Sequence, residues 1–211
     1  MVAAIGAIAA SLLLGGCASP GGSSDDGAAA QIRTTARTDG YHGVLLEKPY
    51  AMPDVTFTTS DGGTLDPSTH QVAPVTLVFF GYSHCPDVCN AVLADVAAAL
   101  RRADDGVRER TALLFVTTDP ARDTPEVMRD YLARFDPSFL GLRTDLETTK
   151  TVATSLGVAL TGNTKLPGGG YDVGHSAQVI GFDAEGAGRL VWTPGTPVGD
   201  LRADLTRLAR G

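Results

Sequence analysis

The stretch Val75-Thr76-Leu77-Val78-Phe79-Phe80-Gly81-Tyr82-Ser83-His84-Cys85-Pro86-Asp87-Val88-Cys89 runs from an apolar, β-branched segment into two cysteines four positions apart. Val75 to Phe80 has the composition of a strand buried on both faces, as at the centre of a sheet. Val88, Val92, Val96 and Leu100 then recur at intervals of four and predict a helix from Asp87 to about Ala103, docked on that sheet. Cys85 and Cys89 therefore stand where a strand hands over to a helix. In a first helical turn, residues four apart lie one above the other, and Pro86 suits the first helical position because it has no N–H to leave unpaired. The free N–H groups and the positive end of the helix dipole favour thiolate over thiol. Two thiolates facing one target attack disulfides or bind soft metals. The alternative use is a structural disulfide, although so short a loop removes little entropy from the unfolded chain.

Working outward, Ala112 to Thr117 repeats the buried-strand pattern. Thr124-Pro125 opens a further helix, with Thr124 as its cap and Val127, Met128, Tyr131, Leu132 and Phe135 on one face. A shorter strand is expected near Phe139 to Arg143 and a helix from about Leu146 to Leu156. Residues 157–174, which carry Gly162, Pro167 and Gly168-Gly169-Gly170, read as irregular; long loops inside a compact domain are usually functional or mobile. Ser176 to Phe182 and Arg189 to Trp192 read as a closing hairpin, and Val198 to Arg210 as a last helix with Leu201, Leu205 and Leu208 inward. Upstream, Val55 to Thr59 and Thr64-Leu65 flank the turn Asp61-Gly62-Gly63 and predict a short entry hairpin. The order β-α-β-α, a crossover, then β-β-α predicts an α/β, thioredoxin-like fold: a central mixed sheet flanked by helices, with an N-terminal hairpin extension. In that fold the reactive cysteines sit where the first long strand meets its helix.

The chain holds three cysteines, and Cys17 closes the sequence Leu14-Gly15-Gly16-Cys17 behind the apolar stretch Ala7 to Leu14. That stretch is too short to span a membrane and suits a signal-peptide core. Small residues ahead of a cysteine resemble the bacterial lipobox, in which the signal is cut before the cysteine and the new terminal residue is lipidated. Met1 to Ala10 carries no Lys or Arg, unlike an ordinary signal peptide, so the translation start is expected upstream. Residues 1–16 are read as signal peptide, 17–43 as a lipidated cysteine with a flexible tether, and 44–211 as the folded domain. The tether is rich in Ser, Gly, Ala, Asp and Thr and cannot bury enough surface to order itself; about 25 residues of coil reach roughly 25–30 Å. The expected place of work is the extracytoplasmic face of the cell membrane, where thiols are not held reduced. A net charge of −7 argues against nucleic acid as a partner.

Three ordered blocks, Phe80-Gly81-Tyr82-Ser83-His84-Cys85-Pro86-Asp87-Val88-Cys89, Thr118-Asp119-Pro120-Ala121-Arg122-Asp123-Thr124-Pro125 and His175-Ser176, resemble the Sco/SenC family of copper-binding, membrane-anchored assembly proteins. The resemblance covers about Pro49 to Arg210. It implies a thioredoxin-like fold that binds copper, as Cu(I) and Cu(II), through Cys85, Cys89 and His175, with Asp119 nearby but not a ligand. It also implies a part in building the binuclear copper A centre of cytochrome c oxidase, by delivering copper, by reducing that centre's cysteines, or both. The implied partners are the copper-A subunit of the oxidase, an upstream copper donor, and the membrane through the lipid anchor. Many members have aspartate where this chain has Gly174, and proline where it has Asn90.

The residue chemistry is consistent with copper, because soft thiolates suit Cu(I) and an added imidazole makes a mixed site that also holds Cu(II). Three-coordinate Cu(I) leaves a side open to a recipient's ligand. Zinc with a bound water competes for the same residues, with Asp119 the one candidate base. Three methionines argue against a Met-rich copper buffer. His84 is expected to point away from a site shared with Cys89, and His42 and His70 to face solvent. Arg122 and Asp123 are read as an ion pair or cap that shapes their loop. Two function classes remain: a metallochaperone, and a thiol-disulfide oxidoreductase in which Cys85 attacks, Cys89 resolves and His175 is not required. A peroxiredoxin-like peroxidase is disfavoured, since the usual Pro/Thr-x-x-Cys arrangement is missing.

Overall fold

The computed structural model describes residues 40–166 and 170–211, so Cys17 and the expected signal peptide and tether, as far as residue 39, lie outside the described residues. In chain order the elements are β1 (Val44–Ala51), β2 (Phe57–Thr59), β3 (Thr64–Leu65), β4 (Val75–Gly81), α1 (Val88–Arg101), α2 (Asp105–Glu109), β5 (Thr111–Thr117), α3 (Pro125–Leu132), β6 (Leu140–Arg143), α4 (Leu146–Ser155), β7 (Leu160–Lys165), β8 (Tyr171–His175), β9 (Val179–Phe182), β10 (Ala187–Trp192) and α5 (Val198–Leu208). The main sheet has the strand order β1-β10-β9-β4-β5-β6-β2-β3, while β7 and β8 form a sheet of their own. Strands β4, β5 and β6 pair in parallel, and β9 lies antiparallel on the other side of β4. This is the thioredoxin-like arrangement.

Every residue of β4 is buried, and its alternation divides the core in two. Val75, Leu77 and Phe79 pack with Val92, Leu93 and Val96 of α1, Met128 and Tyr131 of α3, and Leu201 and Leu205 of α5. Val78 and Phe80 face the opposite layer, with Val152 and Ala153 of α4. The period of two in the strand thus feeds two helical layers at once. Thr124 caps α3, its hydroxyl accepting from the Val127 N–H, and Pro125 opens the helix. The cap orients the helix so that Met128, Tyr131 and Leu132 are buried, whereas Val127 is 36% exposed and lies off the inward face expected for it.

Four elements differ from the expectation. Strand β1 was not foreseen, because its partly buried residues lack a clear alternation; pairing with β10 at the sheet edge makes it a strand. The helix α2 is a short additional piece. The stretch expected to be irregular at 157–174 instead contains the antiparallel hairpin of β7 and β8, whose backbone bonding tolerates the exposed, polar side chains of β7. At the other end, residues 42 and 43, taken as the end of the tether, are fixed to the body. The buried carboxylate of Asp204 accepts from the His42 N–H at 2.9 Å, the Gly43 N–H at 2.8 Å and the Trp192 indole N–H at 2.8 Å. The His42 side chain itself is exposed.

Candidate metal centre

Strand β4 ends at Gly81, and the residues from Tyr82 to the helix cap Asp87 carry Cys85 across to α1. Pro86 lies just ahead of the cap, not inside the helix, so Cys85 precedes the first turn and Cys89 belongs to it. The sulfur of Cys85 still meets the helix end, because the Cys89 N–H points to it at 3.4 Å. Asp87 makes no side-chain capping bond, and the Cys85 sulfur takes that place. Gly81 is required by proximity: a Cβ there would sit 2.8 Å from the Phe115 ring and 3.1 Å from the Cys89 sulfur.

His175, expected just ahead of the closing strand, is instead the last residue of β8. Its Nε2 lies 3.3 Å from the Cys89 Sγ, and its Nδ1 lies 3.0 Å from the Ser176 carbonyl oxygen. A carbonyl accepts only, so Nδ1–H donates to it, which leaves Nε2 facing the sulfurs. The ring stands edge-on to Tyr82 and Phe79, with centroids 6.0 and 6.4 Å away.

The ligand atoms of Cys85, Cys89 and His175 all lie within 4.8 Å of one another, and both cysteines are free thiols. Two ligand atoms held about 2.3 Å from one ion can be at most ~4.6 Å apart, so the three are already close to the span of a single soft ion. Cys85 is 7% exposed and Cys89 fully buried. A hydrogen bond from Cys89 holds the Cys85 thiol far down, to about 4, against the opposing effect of burial and with help from His175 and backbone N–H groups. The same bond, with burial, pushes the Cys89 thiol up. An open groove of about 220 Å³, bounded by Pro86 and Val88 on one side and by Asp172 to His175 on the other, gives access.

The structure places the other candidates as follows. Asp119 does not reach the sulfurs; it accepts from Tyr171 Oη at 2.8 Å and pairs with Arg122. Of the ion pair or cap expected of Arg122 and Asp123, the ion pair is made with Asp119 instead. Asp123 is buried under the cysteine loop, where it accepts from the Ser83 N–H at 3.1 Å, the Ser83 hydroxyl at 2.5 Å and the Thr117 hydroxyl at 2.6 Å. His84 is exposed and hydrogen-bonded through Nδ1 to Ser83 Oγ at 2.8 Å. Asn90 braces the site by donating to the Cys85 carbonyl at 3.2 Å while accepting from Tyr131 at 3.0 Å. At Gly174 a side chain would displace the Thr161 hydroxyl from the facing strand, since a Cβ would lie 2.0 Å from Thr161 Oγ1. Tyr82, Tyr171 and Asp172 were not singled out from the sequence; tyrosine beside the cysteines is an ordinary core residue until its partner across the fold is known.

A thioredoxin-like domain with a Cys-Cys-His centre at its strand-to-helix junction defines a class of metal-binding or dithiol proteins. Residues 46–210 match the SCO1/SenC family, and the chain belongs to it. It is 35% identical over 111 residues to the mitochondrial protein SCO2 of Saccharomyces cerevisiae, covering 52% of this chain but only 37% of that relative. Apo Sco1 of Thermus thermophilus superposes with a TM-score of 0.69 at 33% identity, covering 80% of this chain and 96% of that one. Copper-bound ScoI of Bradyrhizobium japonicum gives a TM-score of 0.61 at 30% identity, covering 76% and 97%.

Proposed function

We propose that this chain is a membrane-anchored copper carrier, working outside the cytoplasm, that holds copper through Cys85, Cys89 and His175 and supports assembly of the copper A centre of cytochrome c oxidase. The observation that carries the reading is the convergence of two reduced sulfurs and an imidazole nitrogen within 4.8 Å. Two thiolates and an imidazole suit both oxidation states of copper, and the groove leaves a side from which a recipient's ligand can displace them. Likeness to a copper-bound relative supports the choice of copper over zinc. The anchor rests on Leu14-Gly15-Gly16-Cys17.

The test is metal titration of the reduced chain beside Cys85→Ser, Cys89→Ser and His175→Ala. One Cu(I) per chain is expected, with a sulfur-to-copper charge-transfer band in the Cu(II) form that the double cysteine variant lacks. His175→Ala should weaken Cu(II) binding at least tenfold and leave the oxidase unmetallated in cells lacking the wild type. Copper binding equal to wild type in all three variants would overturn the proposal.

A second reading, thiol-disulfide oxidoreductase, is favoured by the asymmetry of the pair. Cys85, 7% exposed at the groove, is the thiolate, and the fully buried Cys89 the thiol. Cys85 would attack a partner's disulfide, releasing one partner thiolate, and Cys89 would then displace the second. The partner gains two electrons and two protons as the Cys85–Cys89 disulfide forms. Full metallation of the oxidase by His175→Ala but not by Cys85→Ser would select this mechanism.

A further inference from the structure

His175 belongs to a hairpin outside the main sheet, and a two-stranded hairpin alone is at best marginally stable in water. Strand β7 contributes little to docking, being exposed in all but its first residue. The second strand is what attaches. Tyr171 Oη donates to Asp119, Tyr82 Oη donates to Asp172, and Val173 is buried in the core. Arg122 ties these together. Its Nε pairs with Asp119, its Nη2 donates to the Tyr171 carbonyl at 3.2 Å, and its guanidinium carbon lies 3.7 Å above the Tyr171 ring and 5.6 Å from the Tyr82 ring centroid.

We infer that Arg122 is a positioning residue: stacked on Tyr171 and forked between Asp119 and the β8 backbone, it holds the hairpin so that His175 Nε2 meets the cysteine pair. The inference rests on copper being held by Cys85, Cys89 and His175. Arg122 touches none of these sulfurs or nitrogens, and it acts through Tyr171 and the strand that ends in His175. Asp119 orients the guanidinium, and its own acceptance from Tyr171 closes the ring of contacts. A planar guanidinium makes the fork and the stack together, whereas a lysine ammonium supplies charge without either. The clamp explains why Asp119 and Arg122 sit on the loop after β5, where they reach across to β8 without entering the metal site.

The experiment uses Arg122→Ala and Arg122→Lys beside wild type and His175→Ala, with amide hydrogen exchange on the metal-free reduced chain and spectroscopy after addition of Cu(II). In Arg122→Ala, exchange at residues 171–175 should accelerate at least tenfold while β4 and α1 keep their protection. Its Cu(II) form should lose the imidazole-nitrogen coupling and match His175→Ala, with at least tenfold weaker binding. Arg122→Lys should resemble Arg122→Ala in both readouts. Unchanged hairpin exchange and an unchanged Cu(II) spectrum in Arg122→Ala would overturn the inference, as would loss of protection throughout the domain. Should Arg122→Ala fail to fold, Tyr171→Phe removes one hydroxyl and carries the same exchange test, with a smaller acceleration confined to the hairpin expected. Failure of the copper reading is separately visible, because wild type and His175→Ala would then give the same Cu(II) response whatever the exchange result.

Discussion

Cys89 Sγ and His175 Nε2 lie 3.3 Å apart although 86 positions separate them in the chain. One sits in the first turn of α1, fixed by the central strand, and the other at the end of a hairpin that the main sheet does not include. Their meeting is a tertiary event. It turns two cysteines suited to dithiol chemistry into a three-donor centre.

Thiol reactivity should be asymmetric. Cys85 is held as thiolate to about 4, so its reactivity is present above that value and lost as pH falls through it. An ordinary thiol with a pKa near 8.5 is only about 3% ionised at pH 7. In the reduced, metal-free chain, iodoacetamide should modify Cys85 at pH 7 at close to its plateau rate and leave Cys89 unlabelled until the protein unfolds. Peptide mapping after brief alkylation checks this, and equal labelling of both cysteines would contradict it.

Oxidation should discharge the metal. Forming the Cys85–Cys89 disulfide removes two electrons and both thiolate donors, leaving His175 alone. Copper-loaded protein treated with a disulfide oxidant should lose its copper to the filtrate on ultrafiltration and regain binding after reduction. Copper retained by fully oxidised protein would refute the assignment of the sulfurs as ligands.

Gly81→Ala should be destabilising and should disturb the centre. The new methyl group would press on the Phe115 ring and the Cys89 sulfur, and overpacking of a tight core costs about 1–3 kcal/mol. At about 2–4 °C per kcal/mol for a domain of this size, a thermal scan should show a drop of roughly 2–12 °C. Cu(II) affinity should fall in parallel.

Asp123→Ala should loosen the cysteine loop. It strips the half-buried Ser83 N–H and hydroxyl and the buried Thr117 hydroxyl of their acceptor, and the buried Thr117 donor left unpaired costs about 1–3 kcal/mol. A loss of about 1–3 kcal/mol in urea unfolding is expected, with faster amide exchange at Ser83. A stability change below ~1 kcal/mol, the lower end for a single lost donor, would show that the loop does not depend on this carboxylate.

Cys17→Ser tests the anchor. Two acyl chains hold a protein stably where one is marginal, each buried methylene contributing about 0.8 kcal/mol. The substitution should abolish lipid labelling and move the protein from membrane to soluble fractions. Wild-type protein found unlipidated in the medium would exclude the lipobox reading.

Much of the fold was legible because its signals are local. Val75 to Phe80 announced a two-sided strand and Thr124-Pro125 a helix start, and both stand as expected. The misread strands share a cause. Strand β1 and the hairpin of β7 and β8 gain their order from pairing, not from an apolar face, so their residues carried little periodic signal. Val127 occupied an apolar position in the pattern, yet the helix presents it at its edge.

The sequence by itself determined that Cys85 and Cys89 would lie together at the end of the central strand, since four-residue spacing and a helix start are properties of adjacent residues. It also marked His175 as a candidate through resemblance. Only the tertiary structure decided that His175 is reached by a docked hairpin, that Asp119 pairs with Arg122 and Tyr171, and that Asp123 lies beneath Ser83. Those partners are tens of residues apart, or are chosen among equivalent local geometries. Which carboxylate meets which donor is settled by the packing of β5, β8 and the cysteine loop against one another, a contest that no local periodicity records.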